Sequence, residues 1–482
     1  MKWIQVIGFL SWWLATDAIA QTHYSGTLTS NTTFTGECII DSDLTVPAGI
    51  VLTIEAGSNL QIANGVSILV SGTLLADGTE AQPILFTRYP ANTSGNKWKQ
   101  IKFIQPSDSR LRWCTFQYAD SEGEHQDYYV PQPPARNYHE AIILLAGHLD
   151  FDHCIFQKLP SSSSSAEGDA IAIFSDDLDF PGPASANIRN CRFIGIGQAI
   201  HTRFSYVLVE DCYFQDKRGD NDDIDLWGES TPPPMIRRNL FDTPVHEDRI
   251  NPTRCSAIIM DNLIRDSTDQ GIVLRDKGSP ILINNIIANC SNAGIAVENS
   301  CTATLINNTI VNTKIGIRCF DLGRWDPPYS LNPGGGSFTC INGILWNCST
   351  RAISLENSSN TTIPDRGSHA IVAYSDIQNG QSGVSIGATY STLTWQDGNI
   401  NLDPLFTDPQ NASKSLRDFH LKSQAGRWNP TMKTWVKDTV TSPCIDAGDP
   451  VSDWKGELWP NGARINMGAY GNTPQASMSL DS

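Results

Sequence analysis

A dense group of acidic side chains near the middle of the chain could bind a metal ion. Within residues 220–225 these carboxylates are Asp220, Asp222, Asp223 and Asp225. Carboxylates this close repel one another unless a cation or basic side chains lie among them, and Ca²⁺ accepts irregular sets of about six to eight oxygen ligands. The ligand spacing of an EF-hand is missing. The segment therefore predicts either a Ca²⁺ site or a solvated acidic turn, and both interpretations stay open.

Side chains that could act on a substrate lie on both sides of this acidic segment. The candidate catalytic residues are His201, Asp225, Arg275 and Lys277. The candidate substrate-binding residues are Arg203, Trp227, Arg249 and Arg318. A glycoside hydrolase would need two carboxylates about 5–9.5 Å apart, for instance among Asp223, Asp225 and Glu247. The sequence contains no GxSxG elbow, phosphate loop or HExxH motif.

A recurring phrase of four residues predicts the architecture that positions these groups. The first copy is Trp-Cys-Thr-Phe at residues 113–116, and the ninth, looser copy is Ile-Asn-Gly-Ile at residues 341–344. From Cys114 to Asn342, the Cys or Asn positions are separated by 40, 37, 21, 27, 23, 23, 23 and 34 residues. A step of 21–23 residues with three short β-type patches suits one coil of a parallel β-solenoid, and longer steps add a loop. The repeat therefore predicts an all-β solenoid.

A second recurring phrase predicts which side chains of a coil face outward. Side chains alternate along a strand, so aligning the copies at residues 199–203, 223–227, 271–275, 294–298 and 316–320 gives two outward columns. One column reads His201, Asp225, Val273, Ala296 and Arg318, and the other reads Arg203, Trp227, Arg275, Glu298 and Phe320. A coil between Asp225 and Val273 should contribute part of residues 246–249. Coils lie about 4.8 Å apart, so the charged side chains should gather within a few coils.

Cysteines and asparagines of the repeat predict buried ladders inside the solenoid. Four of the twelve cysteines occupy the same place in successive copies, which favours small, reduced, packed side chains over disulfides. Asparagine accepts the left-handed backbone conformation that β-branched residues resist. Its buried amide can also bond to the next copy along the ladder.

The charge and the first residues of the chain predict an exported protein. The formal net charge is −17, which argues against nucleic-acid binding. Residues 1–20 have the pattern of a secretory signal, and no later apolar run is long enough to span a membrane. We therefore expect a soluble, monomeric protein that is secreted, periplasmic or on the cell surface.

Four regions follow from these patterns. They are a signal peptide at 1–20, an N-terminal cap with the first coils at 21–103, the main solenoid with loop insertions at 104–380, and a C-terminal cap or packing segment at 381–482. The last region holds five of the thirteen tryptophans. Exposed tryptophans could stack on sugars, but a plug over the open solenoid end is the favoured interpretation, because terminal coils need a cover.

Two parts of the chain resemble a known superfamily. Residues 188–320 resemble the parallel β-helix repeats of the pectin-lyase-like superfamily. Residues 46–57, 442–449 and 464–471 resemble the opening and closing segments of secreted bacterial β-helix proteins. The resemblance implies a right-handed parallel β-helix with three parallel sheets and inward stacks of apolar, Cys and Asn side chains. It is weak for activity, because that superfamily includes lyases, hydrolases and epimerases.

The resemblance also implies a chemistry. Polyuronate lyases of this fold pair Ca²⁺ with a basic residue: the cation neutralises the uronate carboxylate, and an Arg or Lys removes the adjacent proton. On that interpretation the chain binds and cleaves an acidic polysaccharide, and Asp223, Asp225, Arg275 and Lys277 share one face. One alternative is a non-catalytic glycan-binding or cell-surface module. Another is a scaffold whose C-terminal region is a docking domain.

Overall fold

Short strands, most of them parallel, account for about half of the described residues. The computed structural model describes residues 21–90, 93, 95–121, 139–159, 168–176, 180–217, 222–242, 248–321, 334–358, 367–387, 390–413, 415 and 417–480. The proposed signal segment, Asp220, His246 and Glu247 lie outside these residues. Among them the structure has 44 strands and one 3₁₀ helix, Gly380–Gly383. No helix in the described part of the chain is long and apolar enough to cross a membrane.

The strands form three parallel sheets, and each coil passes through the sheets in the order 1, 2, 3. Sheet 1 contains Thr32–Phe34, Val51–Ile54, Thr73–Asp77, Ser109–Arg112, Gly147–Asp152, Ala184–Arg189, Tyr206–Glu210, Met235–Arg237, Ile258–Met260, Ile281–Ile283, Thr302–Ile306, Ser337–Ile341, His369–Ala373 and Thr392–Trp395. Two long N-terminal strands, Thr22–Thr27 and Glu37–Val46, bend at the corner and pair in both other sheets.

Sheet 2 continues with Asn59–Ala63, Ile84–Tyr89, Cys114–Phe116, Ile155–Gln157, Arg192–Ile194, Tyr213–Gln215, Leu240–Asp242, Leu263–Arg265, Ile286–Ala288, Thr309–Val311, Ile344–Trp346 and Asp376–Ile377. Sheet 3 continues with Ile68–Val70, Ile101–Ile104, His139–Leu145, Gly168–Phe174, Gln198–Arg203, Ile224–Trp227, Ile250–Thr253, Ile272–Leu274, Ala293–Glu298, Ile315–Asp321, Arg351–Ser358 and Val384–Ile386. The predicted parallel solenoid with three sheets is confirmed.

Columns of equivalent apolar side chains form the core between the sheets. In sheet 3 one inward column joins Ile200, Ile224, Ile250, Ile272, Ile295, Ile317 and Ile353. In sheet 2 six phenylalanines stack from Phe86 to Phe241, with ring centroids 4.5–5.2 Å apart. Each ring lies on the ring of the coil before it, because equivalent residues repeat at the strand spacing. Burial of these columns is the main source of stability.

The four-residue phrase forms the corner between sheets 1 and 2. Its first residue is left-handed in the first eight copies, with φ between 48° and 57°, and its second residue points inward. The ninth copy shows a slip in the sequence alignment. Pairing of Ile306 with Ile341 and of Thr309 with Ile344 places Gly343, not Asn342, in the Cys/Asn column. The last step is therefore 35 residues instead of 34.

The predicted ladders lie in that column. Asn239, Asn262, Asn285 and Asn308, here called the asparagine ladder, are buried. Each of the first three donates its backbone N–H and side-chain Nδ2 to Oδ1 of the next, at 3.0–3.1 Å. The cysteines that precede them in the column, Cys114 to Cys212, are buried and free, as are all twelve cysteines. The Sγ of Cys154 donates to the Leu111 carbonyl at 3.2 Å.

The C-terminal segment first completes the last coil of the solenoid, through Val384–Ile386 and Thr392–Trp395, and then packs along the side of the solenoid. It includes two antiparallel strand pairs, Phe406–Asp408 with Asp418–Leu421 and Arg427–Asn429 with Thr434–Val436. Its apolar side chains cover outward residues of sheet 2, among them Ile286, Val311 and Ile344. Arg417 also pairs with Asp266 at 2.9 Å. Of the five tryptophans predicted to plug the end, Trp395 in the last strand of sheet 1 is half-buried against the main core, whereas the other four are not part of that core, and Trp459 is 67% exposed.

Candidate functional site

The outward face of sheet 3 carries the two predicted columns. The strand pairings align His201 with Asp225 and Arg203 with Trp227, then Val273 with Ala296 and Glu298 with Phe320. The intervening coil contributes Asn251 and Thr253 to these columns, because its strand begins at Ile250. Part of residues 246–249 was expected on this face: Asp248 does not stand in either column but lies on the face beside Arg275.

The densest charge on this face surrounds Arg275. Its Nε donates to Glu298 Oε2 at 3.0 Å, and its Nη2 lies 3.5 Å from Asp248 Oδ2. Both carboxylate side chains are only 1% exposed, whereas the Arg275 side chain is 30% exposed. One coil earlier, Asn251 Nδ2 donates to Asp222 Oδ2 at 2.6 Å. We call Asp222, Asp248, Asn251, Arg275 and Glu298 the Arg275 cluster.

Burial perturbs the titration of this cluster. It raises the pKa of Asp248 well above the usual range, and the neighbouring Asp222 carboxylate raises it further while Arg275 opposes the shift. Burial likewise raises the pKa of Asp222 and Glu298. The surrounding carboxylates raise the pKa of Arg275 despite its burial. Because such a guanidinium keeps its proton, Arg275 suits anion binding and not the role of a base.

Aromatic and imidazole groups adjoin the cluster in the preceding coils. Trp227 is half-buried, lies edge-on to Phe204 with ring centroids 5.1 Å apart, and has the Arg254 guanidinium 5.7 Å from its ring. The Nε2 of His201 lies 4.0 Å from Asp225 Oδ2. The Asp225 side chain is 20% exposed and that of His201 is 4% exposed. Asp225 and Arg275 therefore share one outward face, as predicted.

Two of the predicted site residues point into the solenoid instead. Arg249 Nη1 donates to Asp223 Oδ2 at 2.7 Å, and the Arg249 side chain is 0% exposed. The pair occupies the position before the inward isoleucine, where equivalent coils have Ala199, Gly271, Gly294 and Gly316. The assignments of Arg249 to substrate binding and of Asp223 to a metal site or an outward carboxylate pair are therefore wrong.

The three remaining predicted residues lie on this side of the solenoid, but two are paired with carboxylates and the third lies in a turn outside the columns. Arg203 is buried and pairs with Asp176 at 2.6 Å. Arg318 makes two bonds to Glu356, at 2.8 and 3.0 Å. Lys277 is exposed in the turn after Ile272–Leu274, with a left-handed backbone. Lys277 therefore does not lie in the column of Arg275. Of the four residues predicted to share one face, only Asp225 and Arg275 do so.

The acidic segment does not form one cage in the described part of the chain. Asp222 bonds to Asn251, Asp223 faces inward, and Asp225 lies beside His201. No group of three or more His, Cys, Asp or Glu side chains among the described residues has the arrangement of a metal site. The four-carboxylate Ca²⁺ site is therefore not assembled by the three described members, and Asp220 lies outside the described residues.

Sequence reasoning placed Glu298 in an outward column and Asp248 within the expected segment 246–249 but gave neither a role, and it missed Asn251. A signal for Asp248 was present, because it lies two residues before an inward isoleucine, as do Gln198, Asp222 and Gln270. Aligning the coils on that isoleucine column would have placed Asp222 and Asp248 in successive coils. The same alignment would have placed Asn251 after Asp225.

Comparison with known proteins agrees with the architecture. Residues 141–324 match the profile of a family described as right handed beta helix region, and residues 259–448 match one described as disaggregatase related. The first match and the three sheets agree on the fold, which is a right-handed parallel β-helix. No curated protein sequence matches significantly.

Several solved structures are similar to the chain at low identity. A point variant of the periplasmic alginate epimerase AlgG is 12% identical, with a TM-score of 0.46 over 76% of this chain and 78% of that one. The PL6 family alginate lyase AlyGC is 14% identical, with a TM-score of 0.43 over 83% and 57%. Tailspike protein 3 of bacteriophage CBA120 is 12% identical, with a TM-score of 0.40 over 81% and 64%. At these TM-scores no activity is transferred to this chain.

Proposed function

We propose that this β-helix binds an acidic polysaccharide along the outward face of sheet 3, with Arg275 as the anion contact. The observation that carries this proposal is that the partly exposed Arg275 guanidinium contacts two buried carboxyl groups, those of Asp248 and Glu298. Both carboxyl groups contact the guanidinium from the coils on either side of it, at 3.5 and 3.0 Å. The side chain is thereby oriented in advance, which lowers the entropic cost of binding a uronate or sulfate group.

A second contact of the proposed site is the ring of Trp227. Trp227 and Arg275 belong to one column and lie two coils apart, about 10 Å along the axis. A polysaccharide lying along that axis would place one sugar on the half-buried ring and the acidic group of a later sugar at Arg275. The ring offers a flat apolar surface, and Arg254 beside it offers a further cation.

We further propose that the protein cleaves the bound polysaccharide. Arg275 is a poor base for a lyase because its pKa is raised. His201, next to Asp225, carries the imidazole of this face, a group suited to general acid–base catalysis. The alternative is a glycan-binding module without turnover, which the 4% exposure of the His201 side chain favours. The Ca²⁺ expected from the acidic segment stays a prediction.

The test is binding and turnover of purified protein on polygalacturonate, alginate and a neutral polysaccharide. Arg275→Ala should weaken binding of the acidic polymers at least about tenfold, while Arg351→Ala, an exposed arginine outside the cluster, should change little. Equal binding by wild type and Arg275→Ala would refute the site. Ultraviolet absorbance of unsaturated products, with and without a chelator, separates a metal-dependent lyase from a module. Loss of turnover in His201→Ala with binding retained would support His201 as the base.

A further inference from the structure

A second groove runs along the corner between sheets 2 and 3, away from the Arg275 cluster. One wall is formed by the turns that follow three successive strands of sheet 2, and their lining residues include Asn289, Asn312 and Asn347. The other wall is formed by the C-terminal segment, including Asp403 and Lys422. Two adjoining cavities of about 470 and 360 Å³ share Asn312 and Asn347, so they form one depression. We call it the side groove.

The asparagines of the side groove present a regular row of polar groups. All three have a left-handed backbone, with φ of 53–59°, because each turns the chain at the same corner of its coil. Asn347 Nδ2 donates to Asn312 Oδ1 at 2.6 Å, and Asn289 Nδ2 donates to Asp266 Oδ1 at 3.0 Å. The row spans about 10 Å over three coils, which is the length of two to three sugar rings.

An aromatic ring forms part of the floor. Trp346 lies beside Val311 in the outward register of sheet 2, and both line the smaller of the two cavities together with Phe406 of the C-terminal segment. Trp346 is only half-buried although the C-terminal segment covers its neighbour Ile344. A partly exposed ring beside a row of amides and hydroxyl groups is a surface on which a sugar can stack and form hydrogen bonds.

The charges of the side groove favour an anionic ligand. Lys314 lines one cavity and Lys422 the other, whereas Asp403 is the sole carboxylate among the residues that line them. Neither lysine has an ion pair within the described part of the chain. A local excess of positive charge on a chain of net charge −17 would attract an anion and hold it by charge-assisted hydrogen bonds.

We propose that the side groove is a second carbohydrate-binding site, which takes a short acidic oligosaccharide with one ring on Trp346 and its acidic groups at Lys314 and Lys422. The site is built jointly by the solenoid and the C-terminal segment. The segment would then contribute to ligand binding as well as covering sheet 2. The proposal does not depend on the Arg275 cluster.

The test is calorimetric titration with trimers of galacturonate, mannuronate and guluronate, with maltotriose as the neutral control. Wild type should bind at least one acidic trimer, and Trp346→Ala should weaken that binding at least about tenfold. Trp459→Ala, which removes a 67% exposed tryptophan outside the groove, should bind as wild type does. Failure of every acidic trimer to bind, or unchanged affinity in Trp346→Ala, would overturn the proposal.

Two further variants protect the result against misfolding and against confusion between the sites. Lys422→Ala and Asn347→Ala alter partly or fully exposed side chains, so they should fold while still weakening the trimer several-fold. Arg275→Ala should leave trimer binding in the side groove intact even if it abolishes polymer binding at sheet 3. Trimer binding that is lost in Arg275→Ala and kept in Lys422→Ala would assign the ligand to sheet 3 and refute the side groove.

Discussion

The solenoid interior and the outward face of sheet 3 both bury polar side chains, but they satisfy them differently. In the asparagine ladder the same amide repeats four times, and every copy bonds to its neighbours and to a backbone carbonyl. In the Arg275 cluster five different residues from four coils meet once. A polar side chain that repeats in successive coils therefore indicates a structural role. A polar side chain that occurs in one coil only is a better candidate for a functional role.

One departure from repetition lies in the interior, so the rule has an exception. Asp223 and Arg249 replace small residues in a single column and form a fully buried ion pair. The Nε and Nη2 of Arg249 have no hydrogen-bond partner among the described residues. Such a pair adds little net stability, because desolvation offsets the attraction between the charges. Asp223 and Arg249 directly follow Asp222 and Asp248 in the sequence. The buried ion pair therefore fixes the backbone from which the Asp222 and Asp248 side chains extend.

The largest expected effect comes from breaking that interior pair. Asp223→Ala leaves the Arg249 guanidinium buried without a counter-charge and should lower the free energy of unfolding by about 3–5 kcal/mol. Asp223→Ala combined with Arg249→Met removes both charges and should recover most of that loss. Urea denaturation followed by circular dichroism measures both values. A double variant as unstable as the single one would show that the charges themselves are needed.

The ladder is expected to be the next most sensitive feature. Asn262→Ala deprives the Asn239 backbone N–H and the Ile236 carbonyl of their partners inside the core and should cost about 2–4 kcal/mol. Asn289→Gly, which keeps the left-handed backbone of this half-buried corner and removes its one side-chain bond, is the control and should cost less than about 1 kcal/mol. Similar losses in the two variants, again in urea, would contradict the distinction between the ladder and the corner asparagines.

The asparagine ladder does not titrate, whereas buried carboxyl groups in the outer layers of the molecule do. The pH dependence of stability therefore reports on those carboxyl groups and not on the ladder. Asp376, between sheet 2 and the C-terminal segment, accepts a hydrogen bond from the Cys444 Sγ at 3.2 Å, and burial raises its pKa to about 7. The folded state therefore binds this proton more tightly than the unfolded chain. Its stabilising contribution is complete below about pH 4 and is lost as the pH rises to about 7.

This loss should amount to roughly 2–3 kcal/mol between pH 4 and 7. Asp376→Asn should remove the corresponding slope from a plot of unfolding free energy against pH. Glu457, whose pKa burial also raises to about 7, adds a second slope of the same sign, which Glu457→Gln should remove. A pH profile that is unchanged in both variants would exclude these carboxyl groups as its source.

Features that repeat from coil to coil could be predicted from the sequence much better than features that occur only once. The Cys and Asn columns and the outward register of His201, Asp225 and Arg275 follow from one period and from alternation along a strand, so they could be predicted. The inward turn of Arg249 could not, because alternation from the inward Ile250 would place the residue before it outward, and most equivalent coils have only alanine or glycine at that position. The position of the C-terminal segment also escaped prediction, since it depends on contacts such as Arg417 with Asp266, 151 residues apart.

The smallest effect is expected from an ion pair on the outward face of sheet 3. Arg318 and Glu356 form a bidentate pair, but their side chains are 25% and 32% exposed. Water and salt screen such charges, so Arg318→Ala should lower the free energy of unfolding by less than about 1 kcal/mol. The same urea experiment at low and high salt checks this, since a screened pair should lose its remaining contribution at high salt. A loss as large as that of Asp223→Ala would mean that outward and inward ion pairs are equivalent, and the contrast between the two regions would then rest on the amide ladder alone.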